Sequence, residues 1–387
     1  MALIALSAAS PLAASAEQEV SEIGLEPLWR IDSGDSTAPL LGFVSDVAID
    51  ASGDAYLLDG QLADVKVMAP DGRLLRVLGR SGDGPGEFRA PGEVFFLPDS
   101  SLAVVSKMGG LIKRIDHVSG LEIGTFRLNG AVTDGVWPAQ VLSLPASSPQ
   151  EVVGLVSTWT GSGYGMRLAL GALVLPDGSG SVQLRRHLLE VGEYQDEARE
   201  EECFYLLWTP WTVDSLGRIV AAPYWDDYEV RWIDARGVEV QRVRFDFPHR
   251  PRAAADKRRL LALWGGTDPQ SIIGLRLRYA DNETVVRQII PRPDGVVWIR
   301  TSRQRQGDDS RVFTEFDAIG PMGDRLGRIR LLGPGDDETD LLFADAGDVL
   351  VIVHGGDGAA PWQRPPGASL EGPPYVIAAY RMRPPAR

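Results

Sequence analysis

Short runs in which apolar and polar residues alternate, broken by turns rich in Gly, Asp, Ser and Pro, fill most of this chain. The alternation has the period of two that marks half-buried β-strands, not the 3.6-residue period of amphipathic helices. The runs come in pairs. "VAIDASGDAYLLD" from Val47, "VFFLPDSSLAVVS" from Val94, "VLSLPASSPQEVVGLVS" from Val141, "WTVDSLGRIVAAP" from Trp211, "IIPRPDGVVWIRT" from Ile289 and "LLFADAGDVLVIV" from Leu341 each read as strand, polar turn, strand. Their first residues are 47, 47, 70, 78 and 52 positions apart by subtraction. A period of about 40 to 50 residues is that of a four-stranded propeller blade, so the two long intervals need insertions.

Most units continue with a second strand pair: "DVKVMAPDGRLLRVLG", "LIKRIDHVSGLEIGTFRL", "YEVRWIDARGVEVQRVRF" and "RVFTEFDAIGPMGDRLGRIRLL". The last unit supplies only three strands, ending in "PYVIAAYRM", while the early "EPLWRID" (Glu26 to Asp32) has no neighbour in sequence to pair with. Pairing the two removes an exposed edge and closes a ring. The expected fold is all-β: a six-bladed β-propeller of four-stranded antiparallel blades over residues 25–383, closed by an N-terminal strand. Two insertions are expected. The acidic "EVGEYQDEAREEE" in an irregular third unit reads as a solvated loop or short helix. "PRAAADKRRLLALWGG", about residues 250–265, reads as a helix with Leu260, Leu261 and Trp264 on one side and Gly265 as its C-cap.

The densest turn signal is "GRSGDGPGEFRAP", residues 79–91, which joins the outermost strand of the first unit to the innermost strand of the second. It resembles the G-x-G-x-G-x-F-x-x-P connection of NHL-repeat propellers, with Phe88 packing between blades and Pro91 setting the entry to the next strand. "PWTVDSLGRIVAA" followed by "YEVRWIDARGVEV" is similar to the six-bladed, TolB-like propeller proteins that many bacteria export. The resemblance spans about residues 25–383 and implies a fold and a compartment. It assigns no chemistry, because one fold hosts many functions.

Charge and leader bear on the compartment and partners. Lys and Arg number 39 against 53 Asp and Glu, a net charge of −14, and no dense basic stripe appears, which argues against nucleic acid and anionic lipid as partners. "MALIALSAASPLAASA" (1–16) is a short apolar run with Ala14 and Ala16 spaced as a signal-peptidase site, though without Lys or Arg in front. Export to the periplasm or beyond is the expectation. No stretch approaches the ~20 uninterrupted apolar residues of a membrane span. Cys203 is the single cysteine, so no internal disulfide forms, and its acidic neighbours disfavour a reactive thiolate.

Candidate chemistry gathers where the repeat places the loops between second and third strands and between units, around one mouth of the central channel. Asp46, Asp59, Lys107, Trp208 and Trp211 map there, as do Tyr224, Trp225, Asp226, Arg300, Arg303 and His354. Aromatic faces and charges together suit an amphipathic small molecule, a glycan or a peptide terminus, with core packing of the tryptophans as the plainer alternative. His117, His187, His249 and His354 show no metal-ligand spacing, so no zinc site is expected. Asp46, Asp59 and Asp226 have the oxygen chemistry of calcium ligands, but nothing in their spacing calls for the ion. No G-x-S-x-G is present, and "GDGPGEF" lacks the Lys-Ser/Thr ending of a phosphate loop. The expected function is an exported module that binds an unidentified small molecule, glycan or protein on this loop face, without a cofactor. A lactonase-like, metal-dependent hydrolase or lyase and a structural scaffold are the alternatives.

Overall fold

The computed structural model of the chain describes residues 19–36, 38–106, 111–127, 136–143, 151–159, 166–175, 179–194, 197–202, 210–254, 276–303, 309–337, 340–344, 347–354 and 376–383. A long first strand, β1 (Val20–Asp32), precedes a series of antiparallel sheets. The first sheet holds β2 (Val44–Ile49), β3 (Ala55–Asp59), β4 (Asp64–Met68) and β5 (Leu74–Leu78) in that order. The second holds β6 (Pro91–Phe96), β7 (Leu102–Ser106), β8 (Leu111–Ile115) and β9 (Glu122–Arg127). The third is built from β10 (Val136–Ser143), β11 (Glu151–Trp159), β12 (Met166–Val174) and β14 (Gln183–Tyr194), while the two-residue β13 (Gly180–Ser181) runs parallel to β9 on the second sheet's edge.

A short β15 (Glu197–Arg199) precedes the fourth sheet of β16 (Trp211–Val213), β17 (Ile219–Ala221), β18 (Tyr228–Ile233) and β19 (Glu239–Phe245). β15 itself pairs in parallel with β20 (Arg276–Arg278). The rest of the chain forms one eight-stranded sheet. It contains β21 (Val286–Pro291), β22 (Val297–Thr301), β23 (Val312–Ile319) and β24 (Arg325–Leu332), then β1, then β27 (Val376–Arg383), β26 (Val349–His354) and β25 (Leu341–Ala344). All six hairpins expected from the repeat are antiparallel pairs. The proposed partnership of "EPLWRID" with "PYVIAAYRM" is also present, Asp32 standing opposite Val376 and Gly24 opposite Arg383. The other edge of β1 runs parallel to β24, with Val20 opposite Arg328, a pairing that no sequence signal announces.

First strands of successive sheets neighbour one another, β2 with β6, β6 with β10, β10 with β16 and β16 with β21. The arrangement is propeller-like, and the core lies in layers between sheets. Leu58, Val65, Val67, Phe88, Val94 and Leu102 fill the layer between the first and second sheets. Val220, Val230, Trp232, Ile289, Val297 and Ile299 fill that between the fourth sheet and β21–β22. The recurring Asp-x-x-Gly turns have one mechanism. Asp214 Oδ1 accepts from the N–H of Leu216 (3.0 Å) and Arg218 (2.9 Å), while Gly217 takes φ +74°, which a side chain would resist.

The 79–91 connection behaves as its glycines require. Phe88 is 1% exposed, its N–H donates to Arg80 O (2.7 Å) and its carbonyl accepts from Gly82 N (3.1 Å). Buried Lys113 donates to Gly84 O (2.6 Å) and to Glu122 (2.9 Å), and Glu122 also accepts from Gly86 N (2.7 Å), so the loop is tied to β8 and β9. At Gly79, φ is +76° and an added Cβ would run into the Phe88 ring. Gly79→Ala should therefore cost about 2–3 kcal/mol from backbone strain plus overpacking. Urea unfolding checks this: an unchanged midpoint would mean that the connection does not need this conformation.

One expectation changes in part. Of the acidic stretch, expected as a solvated loop or short helix, Glu190 to Tyr194 end β14 and Glu197 to Arg199 form β15, while Glu200 to Glu202 are helical and Glu200 is 1% exposed. Bulges along the β12–β14 pairing break the alternation that would have announced the strand. The helix expected near 250–265 falls mainly on residues outside those described. At its start, Pro251 makes an isolated bridge to Asn282. No helix among the described residues is long and apolar enough to cross a membrane.

Candidate functional site

Second and fourth strands of the antiparallel sheets end toward one face, and the sequence-predicted residues that the structure describes do not meet there as one ring. Asp59 ends β3 and turns inward. Fully buried, it accepts hydrogen bonds from Gly42 N (2.7 Å), Phe43 N (3.1 Å), Gln61 N (3.1 Å) and Leu62 N (2.8 Å), and Lys66 Nζ stands 3.3 Å away. Asp46 holds neighbouring first strands together by accepting from Val47 N (2.9 Å) and Val94 N (2.9 Å). Both aspartates bind the scaffold's own donors. Among the described residues, no three His, Cys, Asp or Glu converge as a metal site. Lys107 and Trp208 lie outside the described residues.

Arg300, Arg303 and His354 join ion networks beside the eight-stranded sheet. Arg300 Nε bonds Asp337 (2.9 Å). His354 stands between Asp340 (Nδ1 to Oδ2, 2.7 Å) and the Tyr380 hydroxyl (Nε2 to Oη, 3.1 Å). Arg303 reaches Asp317 (3.0 Å), which also accepts from Arg325 (2.8 Å) and from the Tyr228 hydroxyl (2.9 Å). Burial pushes the Asp317 carboxyl upward, but hydrogen bonds and charge from Arg303 and Arg325 outweigh it and hold the group below its ordinary range. The rings of Phe247 and Phe245 stack on Arg303 and Arg325, at 5.3 and 5.1 Å.

The remaining predicted residues surround the fourth sheet. Trp211 is 2% exposed and packs into the layer against the third sheet, so it serves the core. Asp226 is exposed near His249 (3.9 Å). Tyr224 and Trp225, on the β17–β18 connection, help line a cleft of about 350 Å³ between the third and fourth sheets. Its other wall comes from Arg167 at the start of β12, from Glu190, Val191, Gly192 and Glu193 near the end of β14, and from Glu201 and Glu202. Those strand ends belong to the expected loop face, but β14 is the last strand of its sheet, so the cleft lies toward the rim and away from the axis.

The cleft is acidic, aromatic and firmly built. Four glutamates face one arginine across it, and Arg167 reaches Glu193 and Glu190 only at 3.5 and 3.8 Å. Tyr224 is 42% exposed, and Arg231 lies over its ring (5.2 Å) while donating to its hydroxyl (2.7 Å). Trp225 is fixed from behind: its indole N–H donates to Asn282 O (3.1 Å), and Arg252 stacks on the ring at 5.5 Å. The Arg252 guanidinium is itself buried, donating to Glu200 (2.5 and 3.2 Å) and Glu283 (3.1 Å), and Glu200 also accepts from Ala280 N (2.9 Å). Burial and the Glu200 charge push the neighbouring Tyr279 hydroxyl up to about 12. This cluster anchors Glu201 and Glu202 through the adjoining Glu200. Sequence reasoning missed it because its members lie far apart along the chain. The only available signal was an acidic run interrupted by Val191 and Gly192.

No family model and no curated protein sequence matches the chain. Solved structures do. A member of the DUF4221 family from Bacteroides vulgatus superposes with a TM-score of 0.53 at 8% identity, over 94% of this chain and 99% of that one. An exported protein from Bacteroides fragilis gives 0.50 at 10% identity, over 94% and 99%. Virginiamycin B lyase from Staphylococcus aureus gives 0.42 at 7% identity, over 91% and 98%, too remote to bear on chemistry. At these identities the likeness concerns fold alone: the chain shares a propeller-like architecture with the two Bacteroides proteins.

Proposed function

We infer that the protein is an exported propeller of six four-stranded blades that binds a ligand on its loop face, in the cleft between the third and fourth sheets. The blade count treats the eight-stranded sheet as two blades, β21–β24 and β25–β27 with β1, joined by the parallel β1–β24 contact. Export is supported by the leader-like residues 1–16 and by the description of the B. fragilis structure as an exported protein. The observation that carries the binding reading is the cleft itself, a concave space with a half-exposed aromatic ring beside several charged groups on a rigid frame.

A screen of charged, neutral and glycan compounds by saturation-transfer NMR tests this reading. Hits should weaken about tenfold in Tyr224→Ala, the upper end of what one aromatic contact contributes. Because Tyr224 is exposed, the variant should keep wild-type stability to within about 0.5 kcal/mol. The reading fails if nothing binds or if the hits ignore the substitution. A second reading, a scaffold docking through its side, is favoured by one observation. Val118, Leu121 and Ile123 are 69, 67 and 47% exposed beside Leu74 and Val77 on the outer strand β5.

A further inference from the structure

Resting on the cleft as the binding site, we propose that it receives a guanidinium group, of the kind an arginine side chain of a peptide presents. Carboxylates alone would be a solvated acidic face, and two independent features say more. First, Glu201 Oε2 on the cleft wall is shielded from solvent and accepts no hydrogen bond among the described residues. A buried carboxylate oxygen without a donor is costly, and because Glu201 as a residue is only part-buried, a turn of its side chain toward a charge-assisted N–H in the cleft would satisfy it. Second, the aromatic wall already holds this chemistry: a guanidinium lies over Tyr224 and bonds its hydroxyl, yet its owner, Arg231, does not line the cleft and the ring stays 42% exposed.

The cation is organic and carries N–H donors, because among the described residues the carboxylates do not converge as metal ligands would. A planar fork with five donors matches carboxylates on two walls and stacks on a ring, which an ammonium does less well. Lining charge supports entry of a cation, with four glutamates against Arg167 alone.

The probes are acetyl-Gly-Arg-Gly-amide, the same peptide with citrulline in place of arginine, and agmatine, each titrated into the full chain by calorimetry. The arginine peptide should bind at least tenfold more tightly than the citrulline peptide, and more weakly at high ionic strength. Glu201→Gln should remove about tenfold of that affinity. The free variant should melt no lower than wild type, since Glu201 Oε2 has no hydrogen-bond partner among the described residues. Agmatine binding as tightly as the peptide would assign the site to a free cation; weaker agmatine binding would assign it to a peptide. Equal binding of the citrulline peptide overturns the proposal, as does a Glu201→Gln protein that melts several degrees lower. Neutral ligands that bind and depend on Tyr224, with the arginine peptide silent, would sink this inference and leave the cleft reading intact. Silence from every compound would sink both.

Discussion

Asp59→Ala is expected to destabilise the protein by about 3–5 kcal/mol, the cost of removing one partner from a buried charged cluster. The fully buried carboxylate accepts from four backbone N–H groups and sits 3.3 Å from the Lys66 ammonium, itself 3% exposed and 2.5 Å from Asp64. Alanine would leave those N–H groups without their acceptor where water does not reach. Asp59→Asn keeps one oxygen but loses the charge facing Lys66, so it should fall between wild type and alanine. Denaturant unfolding of the three proteins gives the ranking. A near-neutral Asp59→Ala would mean that residues 41–43 and 60–62 find other partners.

Asp317→Asn should cost a comparable amount, about 3–5 kcal/mol, by stranding Arg303 and Arg325 beside an uncharged amide. Here pH adds a second signature. The folded-state carboxyl is held below its ordinary range, so its stabilising contribution is fully present above about pH 4, the unfolded value, and is lost as pH falls through the lower folded value. Wild type should therefore lose part of its advantage over Asp317→Asn only in the acid range, and the difference should be flat from about pH 5 to 8. Thermal melts of both proteins from about pH 2 to 8 read both the acid loss and the flat region. A gap that closes near neutrality would contradict the ion network as drawn.

Legibility in the sequence followed the range of the interactions. Each hairpin was readable because a strand, a turn and a strand lie within one short window, and Asp214 with Gly217 carries its turn chemistry in four residues. The β1–β27 pairing was readable by elimination, as the two runs left without partners. Direction of side chains was less readable. Trp211 and Trp225 both sit in aromatic stretches beside the loop face, and nothing local tells that both are buried in the layer against the third sheet and that Trp225 also reaches the cleft wall. The cleft's supports were unreadable, since Glu200 and Arg252 are brought together by the packing of β15, β20 and the fourth sheet. β14 was hidden for a local reason: as a last strand with repeated bulges it buries Leu188 and Val191 without a clean alternation.

The position of β1 between β24 and β27 also sets the order in which the molecule can be finished. Made before the strands of every other sheet, it pairs with β24 and β27, which follow most of them in chain order, so it waits through their synthesis with both edges unsatisfied. Closing so long a loop is an entropic barrier that delays the last cooperative step, and folding of such high contact order is slow. Until then β24 and β27 each present an edge that a second chain can capture, making the unclosed intermediate the species most prone to intermolecular strand exchange.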